Sequence, residues 1–153
     1  MKLYLVRHGD ALASGVDPER PLSRIGREQV ARMATVLSDR GVRVARVLHS
    51  GKARARETAA ALAAAIAPDA TPETRDGLSP NDPVAPLAEA IAAWRENTLI
   101  AGHMPHLARL ASVLVTGREA PSGFDFEPAT TACLERDEAG AWALVWFVGP
   151  SLL

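Results

Sequence analysis

Cysteine is almost missing from this chain. Cys133 is the only one among 153 residues, so no internal disulfide can form and no cysteine-based zinc pattern exists. Its apolar neighbours, Ala132 and Leu134, make it read as a small buried hydrophobe. Long hydrophobic runs are also missing. None is long enough to cross a bilayer. Met1-Lys2 leads into only four apolar residues, too few for a secretion signal, so a cytoplasmic protein is expected. A strong charge of either sign is lacking as well: the formal net charge is −1, which argues against general binding to nucleic acid or membrane. There is no internal repeat, low-complexity tract or linker, so one domain over residues 1–153, acting as a monomer, is expected.

The charge that is present is unevenly placed. Residues 1–60 hold 12 Lys and Arg against 6 Asp and Glu, a balance of +6, and residues 61–153 hold 5 against 12, a balance of −7. An electropositive N-terminal part suits an anionic substrate or an acidic partner surface, although most of these arginines also fit solvated helix faces.

The most informative stretch is Leu3-Tyr4-Leu5-Val6-Arg7-His8-Gly9-Asp10. A short apolar run of strand type stops at a cation, an imidazole and a turn-permitting glycine. After a loop over residues 10–22, Ser23 is placed to cap a helix running to about Arg40. Ile25, Gln29, Met33, Val36 and Leu37 mark its inner face, and Gly41 ends it. A second strand is expected at Val42–Leu48. His49-Ser50-Gly51 then turns into a helix over about 52–66, with Ala55, Thr58 or Ala59, Leu62 and Ile66 inward. The proline-rich stretch to Pro83 reads as a surface connection with a short edge strand near 71–74. Asp82-Pro83 looks like the cap and first turn of a third helix reaching about Glu96, with Leu87, Ile91 and Trp94 inward. Thr98–Ala101 is a third buried strand, running into Gly102-His103, and a fourth helix starts at Pro105 and closes at Gly117. Residues 130–136 and 141–148 form a hairpin around 137–140, with Trp142 and Trp146 as core. This order predicts a three-layer α/β/α sandwich: a mainly parallel central sheet with an antiparallel edge.

In a parallel sheet, neighbouring strands end on one edge, and ligands bind there. Arg7, His8, Arg54 and His103 can therefore converge. Arg54 lies in the first turn of its helix, where main-chain N–H groups favour an anion. Two arginines, two histidines and a helix N-terminus make a phosphate pocket.

These residues carry a resemblance. Arg7-His8-Gly9, then Pro21-Leu22-Ser23-Arg24-Ile25-Gly26-Arg27-Glu28-Gln29, then Ser50-Gly51-Lys52-Ala53-Arg54-Ala55-Arg56-Glu57-Thr58-Ala59, and finally Gly102-His103 follow, in order, four signatures of the histidine phosphatase superfamily. This group includes the cofactor-dependent phosphoglycerate mutases. The match spans most of residues 2–105; Gly51 departs from the proline usual in the Ser-Pro turn. The short length and the Arg-His-Gly-Asp-Ala opening look most like the SixA-type phosphohistidine phosphatases.

The resemblance implies a phosphoglycerate mutase-like fold and a phosphatase without cofactor or metal. His8 would be the nucleophile and pass through a phosphohistidine. Arg7 and Arg54 would lower its pKa and bind phosphoryl oxygens, joined in that binding by Gly9, His103 and Met104. His103, protonated part of the time, would stabilise the transferring charge. Related enzymes acting on alkyl phosphates take a carboxylic acid from a mid-chain insertion. The short stretch between Ile66 and Val84 offers only Asp69, Glu73, Asp76 and Asp82, of which Asp82 also reads as a helix cap, the role favoured for it. The candidates for a general acid are Asp82, Asp76 and, next to the His8 turn, Asp10, which also reads as a residue that only orients its loop. A phosphorylated imidazole leaves with less help than an alkoxide. A phosphohistidine on a signalling or phosphotransfer protein is therefore the expected substrate, a small phosphomonoester the alternative. A phosphoprotein-binding module without catalysis ranks below both.

Five further residues lie in or near these motifs. His103-x-x-His106 has a spacing that can bind metal, but Pro105 lies between and no carboxylate accompanies the pair, so His106 reads as a first-turn surface residue or rim contact. His49 reads as a half-buried strand end or pocket lining. Lys52 and Arg56 read as either a positive rim or solvated side chains. Ser50 reads as structural, holding the turn or the pocket arginine.

Overall fold

A computed structural model describes all 153 residues, Met1–Leu153. The strands are β1 (Lys2–Arg7), β2 (Arg46–His49), β3 (Glu73–Thr74), β4 (Thr98–Gly102), β5 (Thr131–Arg136) and β6 (Trp142–Val148). The helices are α1 (Arg24–Asp39), α2 (Ala53–Ile66), α3 (Ala85–Ala92) and α4 (His106–Thr116), followed by a terminal 3-10 turn at Pro150–Leu152. The sheet order is β3-β2-β4-β1-β5-β6. β3, β2, β4 and β1 run parallel, and β5 and β6 are antiparallel additions at one edge.

Side-chain alternation divides the core. Tyr4, Val6, Val47, Leu99 and Ala101 face Val30, Met33 and Leu37 of α1 and Ala59, Leu62 and Ile66 of α2. Leu3, Leu5, Leu48 and Ile100 face Leu87 and Ile91 of α3, Leu107 and Leu110 of α4, and Phe126. Both faces of the central strands are covered, which is why they read as continuous apolar runs rather than alternating ones. The three-layer α/β/α sandwich is the one expected.

Several boundaries differ from the expectation, each for a physical reason. The second strand starts at Arg46, not Val42. Val42 and Val44 are buried, but the main-chain N–H groups of residues 42, 44 and 45 bond to Leu37 O, Ile66 O and Asn97 O. Those partners are helix ends and a loop, so this segment has no ladder to join. Asp82 does not cap α3. Its Oδ2 accepts the Ser79 N–H at 2.9 Å, and Val84 stands at the helix start. The helix ends at Ala92, where Arg136 donates to Ile91 O (3.1 Å), Ala92 O (3.0 Å) and Trp94 O (2.5 Å). On α1, Ile25 is 55% exposed and Gly26 takes the inward place. Trp142 and Trp146 are only half-buried, because β6 is the outermost strand.

Candidate active site

The carboxyl ends of β1, β4 and β2 are level: Arg7 pairs with Gly102, and His49 with Ala101. His8 extends the ladder by donating its N–H to Gly102 O at 3.0 Å. The residues that follow these strands, His8, His103 and Ser50, therefore meet at one edge. The His8 and His103 rings lie 5.1 Å apart between centroids.

His8 is held in one tautomer. Its Nδ1 lies 2.7 Å from Gly9 O. A carbonyl only accepts, so Nδ1 carries the proton and Nε2 keeps its lone pair. Arg54 Nε lies 3.3 Å from that nitrogen, so a guanidinium stands beside the unprotonated ring atom. Burial first, then the charges of Arg54, Arg7 and Arg20, push the His8 pKa down to about 4, against an opposing pull from the Gly9 carbonyl. His8 is thus neutral at pH 7, as its expected role requires, with burial acting ahead of the arginines.

His103 departs from expectation. It is 1% exposed. Burial, followed by the influence of His8, Arg54, Lys52 and His106, pushes its pKa down to about 3. It is neutral in the free protein rather than partly protonated. Its Nε2 lies 2.6 Å from Ser50 Oγ, and its Nδ1 is buried without a partner. Ser50 therefore holds the second histidine, neither the turn alone nor the arginine. Only the fold reveals this contact, because residues 50 and 103 stand on different strand ends.

The arginines come from opposite sides. Arg7 Nη1 donates to Phe126 O at 2.6 Å. Arg54 sits in the first turn of α2, whose N-terminus has no side-chain cap. Thr58, one turn on, accepts the Gly9 N–H (3.2 Å) and donates to Arg54 O (2.8 Å), tying helix to loop. Gly9 N–H is thus spent within the protein, so Gly9 acts through His8 rather than by binding phosphate. Met104 packs its side chain against the core under α3 and α4.

Glycine is required where α1 meets the strand-end loop. A Cβ on Gly26 would lie 1.9 Å from Asp10 O, and one on Gly9 would lie 2.7 Å from Gly26 O. Ser23 completes this junction: its Oγ accepts Gly26 N–H at 3.0 Å and donates to Asp10 Oδ2 at 2.5 Å.

Two of the three candidate acids, Asp10 and Asp82, are hydrogen-bonded elsewhere. Asp10 bonds Ser23 and takes the Gln29 side chain through its main-chain N–H at 2.9 Å. Asp76 and Asp82 line a separate hollow of about 260 Å³ with Arg75, Gly77 and Pro83. A larger cavity, about 730 Å³, opens at the other end of the strands among Lys2, Tyr4, Met33 and Arg43. Contrary to expectation, His106 is fully buried, neither a surface residue nor a rim contact. His49 is the strand end expected, closing β2, but it is buried rather than half-buried, at 4% exposed, and accepts Gly51 N–H at 3.0 Å. Lys52 and Arg56 are exposed. No three His, Cys, Asp or Glu side chains are grouped to hold a metal ion, and no helix is long and apolar enough to cross a membrane.

Comparisons place this geometry among known proteins. A profile of the histidine phosphatase superfamily (branch 1) matches residues 3–80. An uncharacterized protein of Picosynechococcus sp. is 30% identical over 126 residues, covering 77% of this chain and 75% of its own. The protein histidine phosphatase SixA, solved with tungstate, superposes with a TM-score of 0.87 at 27% identity, over 99% of both chains. A candidate phosphohistidine phosphatase SixA from Agrobacterium tumefaciens superposes with a TM-score of 0.77 at 25% identity, over 97% of both.

Proposed function

The chain belongs to the histidine phosphatase superfamily, branch 1, and is a phosphatase; from that premise we propose that it removes phosphate from phosphohistidine on a partner protein, with His8 as the nucleophile. The observation that carries the reading is the fixed His8 tautomer, with Nδ1–H on Gly9 O at 2.7 Å and Arg54 Nε 3.3 Å from Nε2.

In the first step the Nε2 lone pair of His8 attacks phosphorus. The Nε2–P bond forms as the substrate P–N bond breaks, and the bonding pair leaves on the substrate imidazole. The charge on the phosphoryl oxygens is met by the guanidinium groups of Arg7 and Arg54. His103, neutral and held by Ser50 at 2.6 Å, contributes beside His8 as a polar group facing the phosphoryl oxygens. Water then attacks phosphorus, the Nε2–P bond breaks, and His8 regains its lone pair as phosphate leaves. Phosphoryl transfer depends mainly on positioning and charge stabilisation, and these groups supply both.

The preference for phosphohistidine rests on the missing acid. An alkoxide needs a proton as it departs; of the candidate acids, Asp10 accepts from Ser23, Asp82 accepts from Ser79 N–H, and Asp76 lines the separate hollow. A phosphohistidine ring that already carries a proton on its other nitrogen leaves as neutral imidazole and has no such need. The likeness to the protein histidine phosphatase SixA supports the same preference.

The test is a comparison of kcat/KM for a phosphohistidine protein, phosphoramidate, sugar phosphates and nucleotides, with rapid quenching in base. Expected are a base-stable, acid-labile phosphate on the peptide containing His8, its loss in His8→Ala, and preference for P–N substrates. Equal turnover of sugar phosphates would favour a small-molecule phosphomonoesterase instead. Binding without any phosphate on His8 would favour a phosphoprotein-binding module.

A further inference from the structure

We propose that Arg20 is a third phosphate-binding arginine of this site, gripping the phosphoryl group from the side of the loop over residues 10–22; this rests on the phosphatase reading of His8.

Arg20 is one of only two non-glycine residues with positive φ, at +48°; the other is Ala129, at +62°. Such backbone is uncommon for residues with a side chain and tends to occur where function needs it. Both border the site. Ala129 donates its N–H to Arg7 O and His8 O, at 3.0 and 3.2 Å. Arg20 stands at the base of a loop pinned to the same strand end. Ala11 and Leu22 form a bridge, and Leu12 N–H donates to Pro21 O at 2.9 Å. Leu22 N–H donates to Glu57 Oε2 of α2 at 2.9 Å. The loop is thereby clamped between β1 and the helix that carries Arg54.

The side chain is aimed as well. Arg20 Nε donates to Leu12 O at 3.0 Å. This fixes the guanidinium plane and leaves both terminal nitrogens, the pair that forks onto a phosphate, without a protein partner. No carboxylate neutralises it, since the two ion pairs of the chain are Arg24–Glu28 and Arg109–Glu119. The charge reaches the site: Arg20 lowers the pKa of both His8 and Arg54. An anchored guanidinium with no anionic partner, its charge felt at His8 and Arg54, is set to receive an anion. The transferring phosphoryl group has three equatorial oxygens, and Arg7, Arg54 and Arg20 offer one guanidinium each.

The test uses the full chain with tungstate and with phosphoramidate. Arg20→Gly is the key variant, because glycine adopts positive φ freely and so preserves the turn. Tungstate affinity, measured by titration calorimetry, should fall at least tenfold in Arg20→Gly, with melting temperature unchanged or higher. KM for phosphoramidate should rise by a similar factor, more than kcat falls. Arg20→Lys should recover part of the loss. If Arg20→Gly binds tungstate like the unaltered protein, Arg20 is a turn residue and the proposal is wrong. If the unaltered protein neither binds tungstate nor forms phosphate on His8, the site itself has been misread and the role of Arg20 falls with it.

Discussion

His8, the proposed nucleophile, shows how burial and three cations together keep an imidazole unprotonated. A histidine in water carries a proton about a quarter of the time near pH 7, given an ordinary pKa of about 6.5. Buried, and faced by Arg54, Arg7 and Arg20, His8 titrates near 4. Activity requires the unprotonated ring, so kcat/KM should hold as pH falls through 6.5 and drop only as it approaches the His8 value. A pH–rate profile on phosphoramidate checks this. An acid limb centred at 6.5 or above would contradict it. Removing the nearest cation should act in two ways. Arg54→Ala should raise the His8 pKa and lower kcat/KM by about 10²- to 10³-fold, the usual loss for one well-placed charge-stabilising donor. A titration of the His8 ring by NMR separates the two effects. Ser50→Ala removes the 2.6 Å partner of His103. A neutral hydrogen bond contributes about 0.5–1.5 kcal/mol, so kcat should fall by about 2- to 10-fold while the fold stays intact. An unchanged kcat would show that Ser50 does not position His103.

At the scale of elements, the site depends on how α1 and α2 abut the strand ends. α1 can reach β1 only because Gly26 faces Asp10 without a side chain; an added Cβ would lie 1.9 Å from Asp10 O. Gly26→Ala must push α1 or the 9–10 loop outward. The expected cost is about 1–3 kcal/mol of stability, the range for overpacking a filled site. Activity should fall too, because Gly9 O orients His8. Urea denaturation and kcat measured on the same variant would show both losses together. A fully active, fully stable variant would mean the junction yields more easily than its contacts imply. The same packing accounts for Ile25. The helical stripe favours the larger apolar residue, but contact with the Asp10 main chain selects Gly26 for the inner face.

Across the whole molecule, the four histidines share a bias. His8, His49, His103 and His106 all have pKa values lowered chiefly by burial. In the unfolded chain each titrates near its ordinary value of about 6.5. Below that pH the unfolded state binds protons that the folded state refuses, so stability falls as pH drops from about 6.5 toward 4. Denaturation midpoints at pH 7.5, 6 and 5 should therefore decrease in that order. A constant midpoint would mean the rings are hydrated enough to protonate in place.

The order of elements, the mainly parallel sheet and the meeting of His8, Arg54 and His103 at one sheet edge were legible in the sequence. Each rests on local pattern: apolar runs that end in Arg-His-Gly or Gly-His, a serine three residues before Gly26, an arginine in the first turn of a helix. The sequence alone also determined that neighbouring parallel strands would bring these residues to one edge. What it left open depends on contacts between segments far apart in the chain. Ser50 meets His103, Asp10 is taken by Ser23, Asp82 closes a turn instead of a helix, and His106 is buried. Whether a polar side chain is spent or free depends on which partner packing brings within hydrogen-bond distance, and burial depends on what covers it. Those are properties of the folded chain in three dimensions, and only the tertiary structure decided them.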